Sequence, residues 1–273
     1  MNYRLPDIVT VIQTRTGSSR LPNKALLPLM DKPLFVRQVE RVLASNLAGT
    51  VIVATTTNAS DDAIENICAS ERLNCFRGSE DDLLDRHFQC ALQYHADIVI
   101  KIPSDCPLID PKIIDKVIEY YLNNSFQFDY VSNLHPATYP DGNDVEIISM
   151  KTLTKAWQNA TKKLEREHTT PYIWESPELF RIGNVVMESG EDYSMSHRWT
   201  VDYFEDYQFV KKVYEEMFPS NPLFSYKDVL SLLKQKPEIA LLNQHLAGVN
   251  WYRNHLDELK TINASQTKQF ATK

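Results

Sequence analysis

Short β-branched runs alternate with amphipathic stretches through the first half of the chain, and this pattern constrains the fold most. The apolar runs cover residues 8–12, 50–55 and 96–102, and helical spacing covers 33–47, 82–95 and 111–122. Strands that alternate with helices at this pitch indicate βαβ units. Runs without a polar face indicate a parallel sheet that is covered on both sides. We therefore predict an α/β fold with a mainly parallel central sheet flanked by helices.

The alternation changes beyond about residue 128. Further strands are predicted at 130–133 and 145–148, and helices at 151–163, 204–218 and 226–233. Because no internal repeat or Gly/Ser-rich linker divides the chain, we predict a single domain over residues 1–263 with a small β-rich subregion at about 129–200. The segment 264–273 is polar and lacks periodicity, so it is predicted to be a disordered tail.

Composition excludes several classes of protein. The 29 Lys and Arg residues and the 36 Asp and Glu residues give a net charge of −7, which argues against non-specific binding to nucleic acid. The four cysteines form no C-x-x-C pair, so reduced thiols are expected rather than a zinc ribbon. The first residues lack the apolar run of a signal peptide, and no run is long enough to span a bilayer. We therefore expect a cytoplasmic protein with neither a nucleic-acid nor a membrane partner.

The loop after the first strand carries the most informative chemistry. It holds three cations, Arg15, Arg20 and Lys24, around Gly17 and Ser18. In open α/β sheets, ligands bind at the carboxyl ends of the strands. Glycine lets backbone N–H groups approach a phosphate, serine adds donors, and Arg and Lys neutralise charge. The loop is neither a Walker A loop nor G-x-G-x-x-G, so we interpret it as another kind of polyphosphate cradle. A solvated basic loop is the alternative.

Six blocks of sequence resemble one enzyme family. They are R-x-G-S-x-R-L-P-x-K at 15–24 with L-L-P-L after it, R-G-S at 77–79 with Asp82 and Arg86, D-C-P-L-I-D-P at 105–111, Y-P-D-G at 139–142 with Asp144 and Glu146, R-E-H at 166–168, and R-W-T-V-D at 198–202. In this order they are similar to the acylneuraminate and 3-deoxy-manno-octulosonate cytidylyltransferases, and most closely to their SpsF-like branch in spore-coat polysaccharide biosynthesis. The matches span about residues 8–210.

The resemblance implies a Rossmann-like nucleotide-diphospho-sugar transferase fold. It also implies Mg²⁺-dependent transfer of CMP from CTP to an anionic sugar or related metabolite, with release of pyrophosphate, in surface polysaccharide or glycoconjugate biosynthesis. The acceptor would be a sugar acid, a sugar phosphate or a phosphonate, and the enzyme a homodimer. Nucleotide contacts are implied for Arg15, Gly17, Ser18, Arg20, Lys24, Arg77, Ser79 and Arg86.

Four residues are candidates for catalysis: Arg15, Lys24, Asp105 and Asp202. Asp105 follows the strand at 96–102, where a carboxylate can hold Mg²⁺ beside the phosphates. The resemblance implies the same role for Asp105 and a second metal-ligand role for Asp202. A turn or helix cap would explain Asp105 structurally. Asp202 follows a short apolar run and could cap the helix that begins near residue 204.

The acceptor is assigned to Asp141, Asp144, Glu146, Arg166, His168 and Arg198. Asp144 and Glu146 share one face of a strand, where they could bind hydroxyl groups or hold a basic residue. Arg166, His168 or Arg198 could bind a carboxylate or phosphate. Structural roles remain open for three of these residues: Asp141 as a turn residue, His168 as a hydrogen bonder and Arg198 as an ion-pair partner.

Two other functions compete with this hypothesis. A metal-dependent glycosyltransferase could use the same kind of sheet, although Asp105 lies in S-D-C and not in D-x-D. A non-catalytic nucleotide-binding protein would bind nucleotide without releasing pyrophosphate.

Overall fold

A seven-stranded sheet lies at the centre of the molecule, in a computed structural model that describes residues 4–268. The strands are β1 (Ile8–Gln13), β2 (Pro28–Leu29), β3 (Lys32–Pro33), β4 (Thr50–Thr56), β5 (Asn74–Gly78), β6 (Ile98–Pro103), β7 (Tyr130–Ser132), β8 (Glu146–Ser149) and β9 (Ile182–Asn184). The α-helices are α1 (Leu34–Leu43), α2 (Asp62–Glu71), α3 (Leu83–Gln93), α4 (Pro111–Asn123), α5 (Met150–Asn159), α6 (Lys163–His168), α7 (Pro171–Trp174), α8 (Phe204–Met217), α9 (Tyr226–Gln235) and α10 (Pro237–Ala240).

The sheet is mainly parallel, as the sequence predicts. Its strand order is β5-β4-β1-β6-β8-β7-β9, and the first four strands run parallel to one another. Strand β8 is antiparallel to both of its neighbours, and β9 is parallel to β7. The later strands thus extend the main sheet, and β2 and β3 form a separate hairpin. The predicted α/β class is confirmed.

Helices cover both faces of the sheet. On one face α1, α2 and α4 pack against alternate strand residues such as Ile12 and Ile100. On the other face α3 and α5 pack against Val11 and Val99. Successive residues of a strand point to opposite faces, so an apolar run without polar gaps requires cover on both sides. A third cluster joins α8 and α9 to Trp199.

The end of the described chain differs from the prediction of a disordered tail. Residues 264–266 form a short 3-10 helix, and the Lys268 N–H donates to the Gly248 carbonyl at 2.7 Å. Thr267 is buried, which fixes this segment against the body of the domain. The rest of the predicted tail, 269–273, lies outside the described residues.

Within residues 4–268, no helix combines the length and apolarity needed to cross a membrane.

Arg41 links α1 to the segments before α4 and α9. Its guanidinium donates to the carbonyls of Ile109 at 2.7 Å and Phe224 at 2.6 Å, and the Phe224 ring centroid lies 4.3 Å from Cζ. Burial lowers the pKa of Arg41, so the carbonyl bonds must stabilise a cation that is removed from water. This side chain therefore connects α1 to the third apolar cluster, to which Phe224 belongs.

We predict that Arg41→Met lowers the free energy of unfolding by about 2–4 kcal/mol, because buried carbonyls lose their donors. Urea unfolding followed by circular dichroism measures this loss. The control is Lys211→Met on the exposed surface of α8, which should change stability by no more than about 0.5 kcal/mol. Equal effects of the two substitutions would contradict the structural role of Arg41.

Candidate active site

A cavity of about 980 Å³ opens at the carboxyl ends of β1 and β6. This volume lies near the upper end of the range for small-molecule sites, about 300–1,000 Å³. Its walls come from the loops after β1 and β6, from the segment between β7 and β8, and from residues between 248 and 266. Open α/β sheets bind ligands at this edge.

The cavity gathers most of the residues that the sequence singled out. Those that line it are Arg15, Gly17, Ser18, Arg20, Lys24, Arg86, Asp105, Asp141, Asp144, Glu146, His168, Arg198 and Asp202. The loop 13–24 forms one side, which we call the phosphate half. Asp141, Asp144, Glu146 and His168 lie in the remainder, which we call the acceptor half.

Asp61 anchors the phosphate half. Its carboxylate accepts the Thr16 N–H at 2.8 Å and the Thr16 hydroxyl at 2.7 Å, and it also accepts the hydroxyl of Thr56 at 2.5 Å. Although burial opposes the charge, these hydrogen bonds lower the pKa of Asp61. Asp61 directly precedes α2, but its side chain makes no capping bond to that helix. It fixes the middle of the basic loop to the end of β4.

Lys24 lies between the two candidate metal ligands. Its Nζ donates to Asp105 Oδ2 at 2.8 Å, to Asp202 Oδ1 at 3.0 Å and to the Val201 carbonyl at 2.8 Å. Burial disfavours the ammonium, but the carboxylates of Asp105 and Asp202 outweigh it and raise the pKa of Lys24. The two carboxylates therefore face each other across a single cation.

This pair fits the ligand chemistry of Mg²⁺. The ion takes one or two protein carboxylates and completes its shell with phosphate oxygens and water. The Lys24 ammonium shows that the space between Asp105 and Asp202 accommodates positive charge. Among residues 4–268, no group of three or more His, Cys, Asp or Glu is arranged to hold a metal ion. An ion held by Asp105 and Asp202 would thus depend on ligands that the substrate brings.

A buried ion-pair network fixes the position of Asp202. Arg198 donates from Nε to Asp206 at 3.0 Å and from Nη2 to Asp202 at 3.0 Å. Asp206 is fully buried and also accepts the backbone N–H groups of Asp202 and Tyr203, each at 3.0 Å. Burial opposes the charge of Asp202, but Lys24, Arg20 and Arg198 hold the pKa of its carboxyl below the usual range.

Asp206 contributes to this network in addition to its place in α8. Asp206 is a residue of the first turn of α8, as predicted, and it also holds Arg198. The apolar run before Asp202 forms no named strand, and the segment makes one isolated bridge between Asp141 and Arg198. Sequence reasoning missed the second role of Asp206, because its partner lies eight residues away on a segment without regular structure.

The acceptor half is rich in carboxylates. Lys101 forms a buried ion pair with Glu146, and the Tyr130 hydroxyl donates to the same carboxylate at 2.7 Å. Burial and the nearby Asp105 carboxylate raise the pKa of Asp144 to about 6, against the lowering effect of the Gly142 N–H. Burial and the Asp144 carboxylate likewise raise the pKa of Asp141.

Aromatic rings form the far wall of the acceptor half. The His168 ring stacks on Trp251 with centroids 3.9 Å apart, and Tyr252 lies beside Trp251. Burial and the Lys101 charge lower the pKa of His168 to about 3, so this histidine is neutral at physiological pH. The sequence gave no signal for Trp251 and Tyr252, because they lie in a segment without helical or strand periodicity.

Three predicted site residues do not line the cavity. Arg77 pairs with Asp62 and Glu65 at 2.7 Å each. Arg166 pairs with Asp82, the cap residue of α3. The Ser79 hydroxyl accepts the N–H of Asp82 at 3.1 Å. The structure does not bring these three side chains to the cavity.

The comparisons agree with the geometry. A family model described as Cytidylyltransferase matches residues 9–253. The spore coat polysaccharide biosynthesis protein SpsF of Bacillus subtilis (strain 168) is 30% identical over 86% of this chain and 97% of its own. A 3-deoxy-manno-octulosonate cytidylyltransferase of Trichlorobacter lovleyi is 36% identical over 43% of this chain and 46% of its own. The solved structure of a cytidylyltransferase from Leptospira borgpetersenii serovar Hardjo-bovis has a TM-score of 0.82 at 33% identity, and the match covers 86% of this chain and 97% of that one.

The raised pKa of Asp144 predicts a pH-dependent effect of Asp144→Asn. A carboxyl with a folded pKa of about 6 and an unfolded value near 3.8 loses stability as pH rises through that window, because the folded state must ionise a buried acid. The variant stays neutral, so we expect it to be more stable than the wild type at pH 7.5 by about 1–3 kcal/mol. The difference should vanish near pH 4.

Thermal unfolding at several pH values measures this difference. The control is Glu167→Gln at the exposed mouth of the same cavity, which should show no such pH-dependent gain. A loss of stability in Asp144→Asn at pH 7.5 would contradict the prediction.

Proposed function

The chain belongs to the cytidylyltransferase family, and on that premise we propose that it transfers CMP from CTP to a hydroxyl group of an anionic sugar or related metabolite. Pyrophosphate is the second product. The observation that carries this proposal is the pair of carboxylates, Asp105 and Asp202, which face each other at the base of a loop with three cations.

The phosphate half supplies what this displacement requires. The acceptor oxygen attacks the α-phosphorus, and the bond to the departing pyrophosphate breaks in line with it. Such transfers depend mainly on positioning and charge neutralisation, so no nucleophilic side chain is needed. Arg15, Arg20 and Lys24 would neutralise the triphosphate, and backbone N–H groups near Gly17 could approach it closely.

Asp105 and Asp202 would hold Mg²⁺ beside the α-phosphate. When bound, the ion would neutralise phosphate charge and help to orient the attacking oxygen. Asp202 is prepared for this role because Arg198 and the network around Asp206 fix its carboxylate. Lys24 contacts both acids and would exchange part of that contact for phosphate oxygens.

Relatives support the class of acceptor and pathway. One relative is named for spore coat polysaccharide biosynthesis and another for 3-deoxy-manno-octulosonate, a sugar acid. We therefore place the acceptor among sugar acids, sugar phosphates and phosphonates, and the pathway in surface polysaccharide or glycoconjugate synthesis. The predicted homodimer is part of this proposal; β9 is an edge strand of the sheet.

Nucleotide selectivity tests the donor. We expect CTP with Mg²⁺ to raise the melting temperature more than UTP, GTP or ATP, because a ligand at about 100 times its Kd adds about 2.7 kcal/mol of stability. Differential scanning fluorimetry with and without Mg²⁺ measures this. A response to nucleotide sugars alone would instead favour a glycosyltransferase. A CTP response without pyrophosphate release in a screen of acidic sugars would favour a non-catalytic binding protein.

Asp105→Asn tests the metal pair. We expect pyrophosphate release to fall by about 100-fold or more, because the neutral amide is a weaker ligand for Mg²⁺. The fold should persist, since Lys24 keeps its bonds to Asp202 and to the Val201 carbonyl. The matched control is Asp81→Asn, another acid that lines the cavity and is exposed. Normal turnover of Asp105→Asn would exclude the assigned role.

A further inference from the structure

The cation that lies between Asp105 and Asp202 is supplied by the protein itself. Lys24 Nζ contacts Asp105 Oδ2 at 2.8 Å and Asp202 Oδ1 at 3.0 Å. A divalent ion held by both carboxylates would lie close to this ammonium, and like charges repel strongly at short range in a partly buried space. The Lys24 ammonium and a metal ion therefore compete for the position between the two acids.

The Asp202 carboxylate already contacts three cations. Its Oδ1 accepts Arg20 at 2.5 Å in addition to Lys24, and its Oδ2 accepts Arg198 at 3.0 Å. A carboxylate offers about four lone-pair positions, so most of its capacity as an acceptor is used. A divalent ion would also meet three positive charges around one carboxylate. Charge and hydrogen bonding thus both oppose metal binding while these cations stay in place.

The three cations differ in how firmly they are held. The Arg198 side chain is 1% exposed and also binds the fully buried Asp206 at 3.0 Å. The Arg20 side chain is 40% exposed, so rotation of its bonds can redirect the guanidinium without opening the core. Lys24 carries its ammonium on a flexible four-carbon stem. The two cations that can leave Asp202 therefore both belong to the loop 13–24.

The same loop is the part of the cavity that would bind a polyphosphate. Phosphate oxygens form strong charge-assisted hydrogen bonds with guanidinium and ammonium groups. A nucleotide on the loop would therefore compete with Asp105 and Asp202 for Arg20 and Lys24. Once these two cations turn to the phosphates, the acids lose most of their charge compensation. The pair then favours a divalent ion, whose remaining ligands are phosphate oxygens and water.

We propose that Lys24, assisted by Arg20, is an internal counter-ion that excludes divalent cations from Asp105 and Asp202 until a nucleotide binds. The inference rests on the proposed function and adds an order of binding to it: the metal ion binds this pair with the nucleotide or after it. Lys24 also compensates the two acids in the free protein, so the site keeps its arrangement without a metal ion. Binding of metal and of nucleotide is then linked, and such coupling typically changes an affinity by about 5–150-fold.

Binding of Mn²⁺ to the full chain provides the test, because this ion prefers the same oxygen ligands as Mg²⁺ and is detected by electron paramagnetic resonance. Without nucleotide, we expect the wild type to bind Mn²⁺ no more tightly than Asp105→Asn, because Lys24 occupies the pair. With an equimolar non-hydrolysable CTP analogue, the wild type should bind Mn²⁺ at least about tenfold more tightly than Asp105→Asn. This comparison uses two proteins that keep Lys24.

Lys24→Met removes the charge and keeps an unbranched side chain. Without nucleotide, we expect this variant to bind one Mn²⁺ per chain at least about tenfold more tightly than the wild type, because the two carboxylates lose their ammonium. The matched control is Lys24→Arg, which keeps a cation and should keep the low affinity of the wild type. Addition of Asp105→Asn to Lys24→Met should abolish the gain, which assigns the ion to this pair.

The outcomes separate the two proposals. Binding of Mn²⁺ to the wild type without nucleotide that is lost in Asp105→Asn would overturn the counter-ion role of Lys24. An unchanged affinity in a folded Lys24→Met protein, or a gain that survives the added Asp105→Asn, would overturn it as well. The proposed function would fail through other results: the absence of any thermal shift with CTP, or of pyrophosphate release with every acidic sugar tested.

Discussion

The Lys24 ammonium between Asp105 and Asp202 is the interaction on which the candidate site depends. The two aspartates are far apart in sequence, and each follows a different segment of the fold. Without a cation between them, two carboxylates at this distance would repel each other in a partly buried space. Lys24 therefore stabilises the arrangement before any substrate binds, and it belongs to the same loop that would receive the phosphates. In the proposed reaction, the Lys24 side chain would couple charge balance in the free protein to nucleotide binding.

Buried charged residues other than Asp105 and Asp202 hold the parts of the site in position. Arg198 is 2% exposed and joins the acids around α8, while Asp61 holds the basic loop against β4. Partial loss of such a network leaves an uncompensated buried charge, which costs several kcal/mol. The positions of Asp202 and of the basic loop are thus set by hydrogen bonds and ion pairs from neighbouring buried residues. Substitutions at Asp61 or Asp206 would act on geometry and stability together.

Most of the fold and most of the cavity lining could be predicted from sequence, whereas the aromatic wall and the buried ion-pair network could not. The strands around β1 and the loop at 13–24 follow from local periodicity and from residue types that bind phosphate. The role of Asp206 and the wall formed by Trp251 and Tyr252 depend on long-range packing of segments without periodicity. Arg77 and Arg166 show the opposite case. Both lie in sequence blocks that resemble the family, yet each pairs with an acidic residue and neither lines the cavity. Residue type indicates the available chemistry, but the tertiary contacts decide where that chemistry is used.

The two halves of the cavity differ in the sign of their charge, and this difference constrains the order of events. The phosphate half presents Arg15 and Arg20 to a polyanion, while the acceptor half presents Asp141 and Asp144. A triphosphate would therefore be favoured at the loop, where the guanidinium groups of Arg15 and Arg20 would neutralise it. Once bound there, it would draw Lys24 toward its oxygens and leave Asp105 and Asp202 in need of another cation. A divalent ion that arrives with the nucleotide would meet that need, and phosphate oxygens and water would complete its ligand shell.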